Sequence, residues 1–193
     1  MRSKKYTILA GAVMAFIFLQ SALPADLSSQ ESGVIVDLIM RFFESILPVG
    51  RESIVFAVRK GAHFTEYLIL GAVLAQAVKE WNSESKRSGV SSESGAAPEP
   101  RMQGVTSDSG MSAAGGALAA WLIGTAYAMT DEFHQSFVPG RSCELRDVVI
   151  DSCGVLMGVL LATLVGRIRR AKAQRKGEAE SVPAAESSHG RRE

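Results

Sequence analysis

The chain has 193 residues, room for one compact domain, and a formal charge of +1 that excludes a bulk electrostatic pull towards nucleic acid. Apolar residues make up 47% of it, an ordinary share for a soluble protein, yet they are gathered into four long blocks separated by polar stretches. A bilayer core about 30 Å thick is crossed by roughly 20 apolar residues in helix, so this segregation predicts an all-α, polytopic membrane bundle of four transmembrane helices. Two cysteines, Cys143 and Cys153, are too few for a disulfide scaffold and do not form a CxxC metal pair.

The first block covers residues 6–23 and follows a basic start at Arg2, Lys4 and Lys5. A basic start before an apolar run also fits a secretory signal, but this run is longer than a signal core and Pro24-Ala25 is a poor cleavage site. An uncleaved first helix is therefore expected. Residues 32–47 follow with a clear helical period: Ile35, Leu38, Ile39, Phe42, Phe43, Ile46 and Leu47 share one face, and Asp37, Arg41, Glu44 and Ser45 the other. A stretch this short and this charged predicts a short interfacial amphipathic helix; a helix packed across the end of the bundle is the alternative.

The second block, residues 54–78, is unusual in carrying Arg59, Lys60, His63 and Glu66 in its first half. The third, residues 113–130, is rich in the Gly and Ala that permit close helix contact. The fourth, residues 148–166, holds Asp151 near its start and the small-xxx-small pair Gly154 and Gly158. Between and beyond these blocks, residues 82–112 are dominated by Ser, Gly, Pro and Glu, and residues 172–193 by charge and alanine. Neither offers enough apolar surface to offset ordering entropy, so both are expected to be disordered. The organisation is thus 1–81 with two spans and the amphipathic segment, a linker at 82–112, a second pair of spans in 113–171, and a tail at 172–193.

Arginines and lysines set the orientation. The N-terminus, the segment 79–112 and the tail from Arg167 carry 3, 4 and 8 of them, while the segments between the first two and the last two spans carry 4 and 2. Fifteen against six places both termini in the cytoplasm by the positive-inside rule. Lys60, His63 and Glu66 then lie in the outer half of the second helix. Asp131, Glu132, His134 and Gln135 follow the third, and Arg141, Arg146, Asp147 and Asp151 surround the start of the fourth. Three separate segments deliver polar groups to one membrane face.

Lys60, His63 and Glu66 are spaced by three, and Asp147 and Asp151 by four, so each set shares a helix face. Burying such groups in a membrane costs several kcal/mol each unless they are paired, which directs them into the bundle or a wet cavity. The structural alternative is an ion-pair network that sets helix register and does nothing else.

The strings Lys60-Gly-Ala-His63-Phe-Thr-Glu66-Tyr67, Thr130-Asp131-Glu132-Phe133-His134-Gln135 with Pro139-Gly140-Arg141, and Asp147 to Gly154 resemble the VanZ-like family of bacterial integral membrane proteins in residues, order and spacing. The resemblance covers the four-helix body and leaves out the linker and tail. Cys143 stands where the family usually has a small residue. The resemblance implies a place in the cell membrane and a link to low-level resistance to the glycopeptide teicoplanin, through binding or altering an envelope component. It brings no settled enzymatic activity.

Two classes of function follow. In the first, the chain binds an envelope component without turnover. In the second it is a membrane enzyme, metal-assisted or not, acting on a lipid-linked or phosphate-bearing substrate. His63, Glu66, Asp131, Glu132 and His134 are the candidate catalytic groups, since imidazoles and carboxylates serve as acid, base or metal ligand. Lys60, Tyr67, Gln135, Arg141, Asp147 and Asp151 are the candidate binding groups, with the Arg141 fork suited to phosphate or carboxylate. The expected partners are the bilayer and a lipid-linked envelope intermediate or glycopeptide; the residues identify neither a metal nor a cofactor.

Overall fold

The computed structural model of the protein describes residues 4–24, 36–38, 50–92, 111–141 and 143–181, and every regular element among them is helical. Four long helices follow in chain order: α1 Lys5–Ser21, α2 Arg51–Ser92, α3 Ala113–Gln135 and α4 Leu145–Ser181. The stretch read as amphipathic, residues 32–47, falls outside the described residues except for 36–38, which are helical; Asp37 there reaches Arg51 at 2.8 Å.

Each helix begins or ends for a local reason. The Ser112 side chain caps α3 by accepting from the Gly115 amide at 3.0 Å, satisfying one of the donors a helix start leaves open. After α3 the chain turns through Val138-Pro139-Gly140, where Gly140 takes φ 75, a left-handed backbone that costs glycine nothing. The Arg141 amide closes that turn on the Val138 carbonyl at 3.1 Å. Helix α4 runs on past its apolar block to Ser181 through Arg, Lys, Ala, Gln and Glu, which are good helix formers, and α2 continues to Ser92 into the Ser-rich stretch that composition alone predicts to be disordered. The rest of the linker and tail, residues 93–110 and 182–193, lies outside the described residues.

By length and composition two helices are able to cross a membrane: Ala113–Gln135, with mean hydropathy 1.2, and Leu145–Gly177 of α4, with mean hydropathy 2.3. Helix α1 is apolar but shorter, at 17 residues. Of the four spans expected from the sequence, two are thus long and apolar enough among the described residues.

Large apolar side chains point outward along these helices, among them Leu118, Leu122 and Ile123 on α3 and Leu160, Leu161 and Leu164 on α4. Asp131, Glu132, Gln135 and Asp151 are meanwhile only 2–5% exposed. Enclosed carboxylates beneath exposed apolar side chains are an arrangement suited to an apolar solvent.

The interior is built by close approach between α2 and α4. Gly154 sits against the Phe64 carbonyl and Tyr67, and Gly158 against Leu68 and Ala72. An advance of four residues on both helices means that they run parallel, their starts at the same end. Tyr67, Leu70, Leu74, Val155 and Val159 fill this seam, and Ile17 of α1 and Ala128 of α3 complete the core. Trp121 donates its indole N–H to the Ser152 carbonyl at 3.3 Å, and Thr125 and Ser152 share a hydroxyl contact at 2.9 Å, tying α3 to α4.

Candidate functional site

The end of α1, the start of α2, the end of α3 and the start of α4 meet at one end of the bundle, and the polar groups are concentrated there. Helix α3 continues through the Asp-Glu-Phe-His-Gln string instead of ending before it, so these side chains project from a rigid last turn. Asp131 and Glu132 are adjacent on that turn and both are buried, but they face different neighbours.

Asp131 is the hub. Its Oδ2 accepts from Ser21 Oγ at 2.8 Å, Tyr67 OH at 3.2 Å and Gln135 Nε2 at 3.1 Å, joining α1, α2 and α3 through one oxygen. Its Oδ1 is buried without a hydrogen-bond partner among the described residues. Gln135 extends the network by accepting from Arg141 NH1 through its Oε1 at 3.1 Å. Arg141 also donates from Nε to the Leu23 carbonyl at 3.1 Å and from NH2 to the Gln20 carbonyl at 3.4 Å, covering carbonyls that the end of α1 leaves open. Burial and the nearby Arg59 charge pull the Arg141 guanidinium below its ordinary pKa, while Asp131, Glu132 and Glu66 pull the other way.

Glu132 turns towards the start of α4, where its Oε2 accepts from the Glu144 amide at 3.2 Å. Lys60 and Asp147 form a direct ion pair between the starts of α2 and α4, with side chains 23% and 13% exposed. Asp151, one turn further in, lies within electrostatic range of Glu132, Asp131, Asp147 and Lys60. Lys60 is the one cation in that group, and it is already paired with Asp147.

His63 and Glu66 share a face of α2 as their spacing predicts, but their nearest approach, Nδ1 to Oε2, is 3.8 Å, too long for a hydrogen bond. Both atoms are buried and unpaired among the described residues, as is His134 Nδ1. His134 leaves the hub and lays its ring on Phe18 of α1, centroids 4.3 Å apart. The structure therefore brings ten of the eleven candidate residues to one end around Asp131, Arg141 and Lys60, with His134 at the α1 side. No three His, Cys, Asp or Glu groups among the described residues are arranged to hold a metal ion.

Four contributors escape a reading by residue type. Ser21 is a lone hydroxyl closing an apolar block, and Gln20 and Leu23 act through main-chain carbonyls, which no side-chain pattern reports. Arg59 is visible as a charge in an apolar stretch, and only its place beside Arg141 connects it with the site.

Beside this network lies a cavity of about 170 Å³. Arg59, Lys60, Arg141 and Arg146 line it together with Glu144 and Asp147, and His63 and Gln135 reach it from the network. Phe56, 45% exposed, stands at the rim, with Lys60 Nζ 5.6 Å and Arg146 Cζ 5.1 Å from its ring centroid. Both separations fall in the range of a cation over an aromatic face.

Among the described residues the chain is all-helical, with exposed apolar side chains along its helices and a polar cluster at one end, and two of its helices are long and apolar enough to cross a membrane. A family model described as VanZ/LLP1 matches residues 6–166 and so spans all four helices and every site residue named above. The chain is a member of the VanZ-like family. Neither a curated protein nor a solved structure matches it.

Proposed function

We propose that this chain is a multi-pass protein of the cell membrane that binds an envelope component in the polar cavity at its extracytoplasmic face and thereby affects glycopeptide tolerance. Its four helices cross the bilayer and both termini lie in the cytoplasm, in line with the excess of arginine and lysine at the N-terminus, the linker and the tail. The observation that carries the reading is the inversion of burial: apolar side chains cover the outside while Asp131, Glu132, Gln135 and Asp151 are enclosed. Such an arrangement is costly in water and natural in lipid, where ionisable residues mark a functional cavity. Helix α1 is a working part of the bundle, since Ser21, Gln20 and Leu23 all contribute to the site.

A second reading has one specific observation in its favour. His63 Nδ1, Glu66 Oε2 and Asp131 Oδ1 are buried without hydrogen bonds among the described residues, and buried polar atoms left open mark a place where a reacting group is held. In that reading the chain is a membrane enzyme, with His63 and Glu66 as acid and base near the cavity. The metal-assisted form has no ready ligand set among the described residues.

Expression of the chain in a teicoplanin-sensitive bacterium tests both. A strain whose tolerance and envelope composition match those of the empty-vector strain overturns the proposal. Glu66→Gln and His63→Ala, in protein that inserts stably, separate the two readings: binding preserves the phenotype, turnover loses it.

A further inference from the structure

The charges around the cavity do not balance. Of its four cations, Lys60 is matched by Asp147, and Arg146 reaches Glu144 at 3.1 Å. Arg59 and Arg141 form no ion pair with a carboxylate among the described residues, so the lining itself carries two more positive than negative groups, with Asp131, Glu132 and Glu66 within electrostatic range of Arg141 behind it. Arg141 spends three of its five N–H donors on Leu23, Gln135 and Gln20, which leaves two. Arg59 makes no hydrogen bond with a described residue and lies close enough to Arg141 for the two charges to repel.

Two like charges held beside one partly buried cavity repel, and an anion lying between them relieves that repulsion. The cavity's 170 Å³ is ample for such a group, since a single water needs roughly 10–15 Å³. Its rim is formed by exposed residues, Phe56, Gly140 and Glu144, at the end of the bundle where headgroups meet the chain.

We infer that Arg59 and Arg141 form a phosphate-binding site, and that its ligand is a phosphate ester of net negative charge, such as an anionic membrane lipid presents in its headgroup and a zwitterionic one does not. This rests on the reading of the cavity as the binding site of a membrane protein, and makes that site selective for anions. The guanidinium forks face the phosphate oxygens with the planar, paired donors that suit them, and His63 Nδ1 lies at the cavity wall as a further polar group. The phosphate is recognised whether it belongs to a lipid or is free in solution, and the two sources differ only in what holds the rest of the ligand.

The test uses the full chain in nanodiscs of phosphatidylcholine alone or with phosphatidylglycerol, lipid retention being read by native mass spectrometry. Inorganic phosphate is titrated calorimetrically into the phosphatidylcholine discs. Retention of phosphatidylglycerol over phosphatidylcholine, or saturable phosphate binding, supports the site; the first outcome assigns it to a headgroup and the second alone to free phosphate. Arg59→Gln removes a charge-assisted contact without breaking a described bond, so affinity is expected to fall about tenfold. Arg59→Lys keeps the charge and retains most of the affinity. Arg167→Gln, an exposed cation at the other end of α4, leaves it unchanged.

Equal binding by the Arg59→Gln and Arg167→Gln proteins overturns the inference, as does the absence of any preference for phosphatidylglycerol together with no phosphate binding. Either result, in protein that has entered the discs, leaves the membrane reading intact. A chain that stays soluble and does not enter them at all refutes that reading instead.

Discussion

The contact between α2 and α4 carries a quantitative prediction because glycines bring the two backbones together where no side chain has room. A methyl group added at Gly154 would come within 2.7 Å of the Phe64 carbonyl oxygen and 3.2 Å of Tyr67 Cβ. Ordinary contact begins near 3.4 Å, a shortfall of about 0.7 Å on the first atom. Phe64 O is main chain, so the helices must separate. A gap of about 0.5–1 Å already forfeits a quarter to a half of each dispersion contact along the seam.

Overpacking of this size costs about 2 kcal/mol, and replacing glycine by alanine in helix returns about 1 kcal/mol, for a net loss near 1 kcal/mol. At Gly61, on the same α2, an added methyl meets nothing within 4 Å. There only the helical gain of about 1 kcal/mol remains, so Gly61→Ala and Gly154→Ala are expected to differ by about 2 kcal/mol. Gly158→Ala is the most severe of the three, because its methyl falls closer still on the Leu68 carbonyl and within 2.8 Å of the Ala72 nitrogen.

Unfolding by sodium dodecyl sulfate in mixed micelles, followed through Trp121 at the α3–α4 contact, measures the series. The expected order of stability is Gly61→Ala, wild type, Gly154→Ala, Gly158→Ala. Gly154→Ala and Gly158→Ala proteins as stable as the Gly61→Ala protein would refute the close parallel packing of α2 on α4. The placement of Lys60 against Asp147 would fall with it, because the same seam sets both.

Other expectations come from the polar end of the bundle. Asp131→Ala strips the acceptor from three donors and is expected to cost about 3 kcal/mol or more, against about 1 kcal/mol for Ser21→Ala. The same detergent titration checks this, and equal effects would remove Asp131 from the centre of the network. Lys60→Met leaves Asp147 partly buried and unpaired, at a cost of about 2–3 kcal/mol that the exposed fraction of the pair keeps below the fully buried range. The double exchange Lys60→Asp with Asp147→Lys should recover part of that loss; a double variant no better than the worse single one argues against a direct pair. For topology, Ser136→Cys in a chain with Cys143 and Cys153 replaced by serine is expected to react with a membrane-impermeant maleimide in intact cells. Labelling only after lysis would invert the orientation.

Much of the architecture follows from composition alone. Apolar segregation and the spacing of small residues in 148–166 are enough to predict four helices and a close contact at Gly154 and Gly158, because these patterns depend on helix geometry and solvent, which act locally. The motif strings are equally local, and the family model covers the same residues. Asp131 and Glu132 face different neighbours on the last turn of α3, as the turn angle per residue requires of adjacent helical positions.

Partnership is what only the tertiary structure decided. Spacing alone places His63 beside Glu66, yet their nearest approach is 3.8 Å and the two do not hydrogen-bond. Asp131 pairs with a serine at the end of the first apolar block, 110 positions away, and no pattern in either segment announces the other. Arg141 completes its bonds on main-chain carbonyls, which every residue possesses and no residue type signals. Arg59 becomes interesting only because the fold sets it beside Arg141 and supplies carboxylates to the other two cations. Residue types determine which groups must avoid lipid; the packing of four helices determines which of them meet.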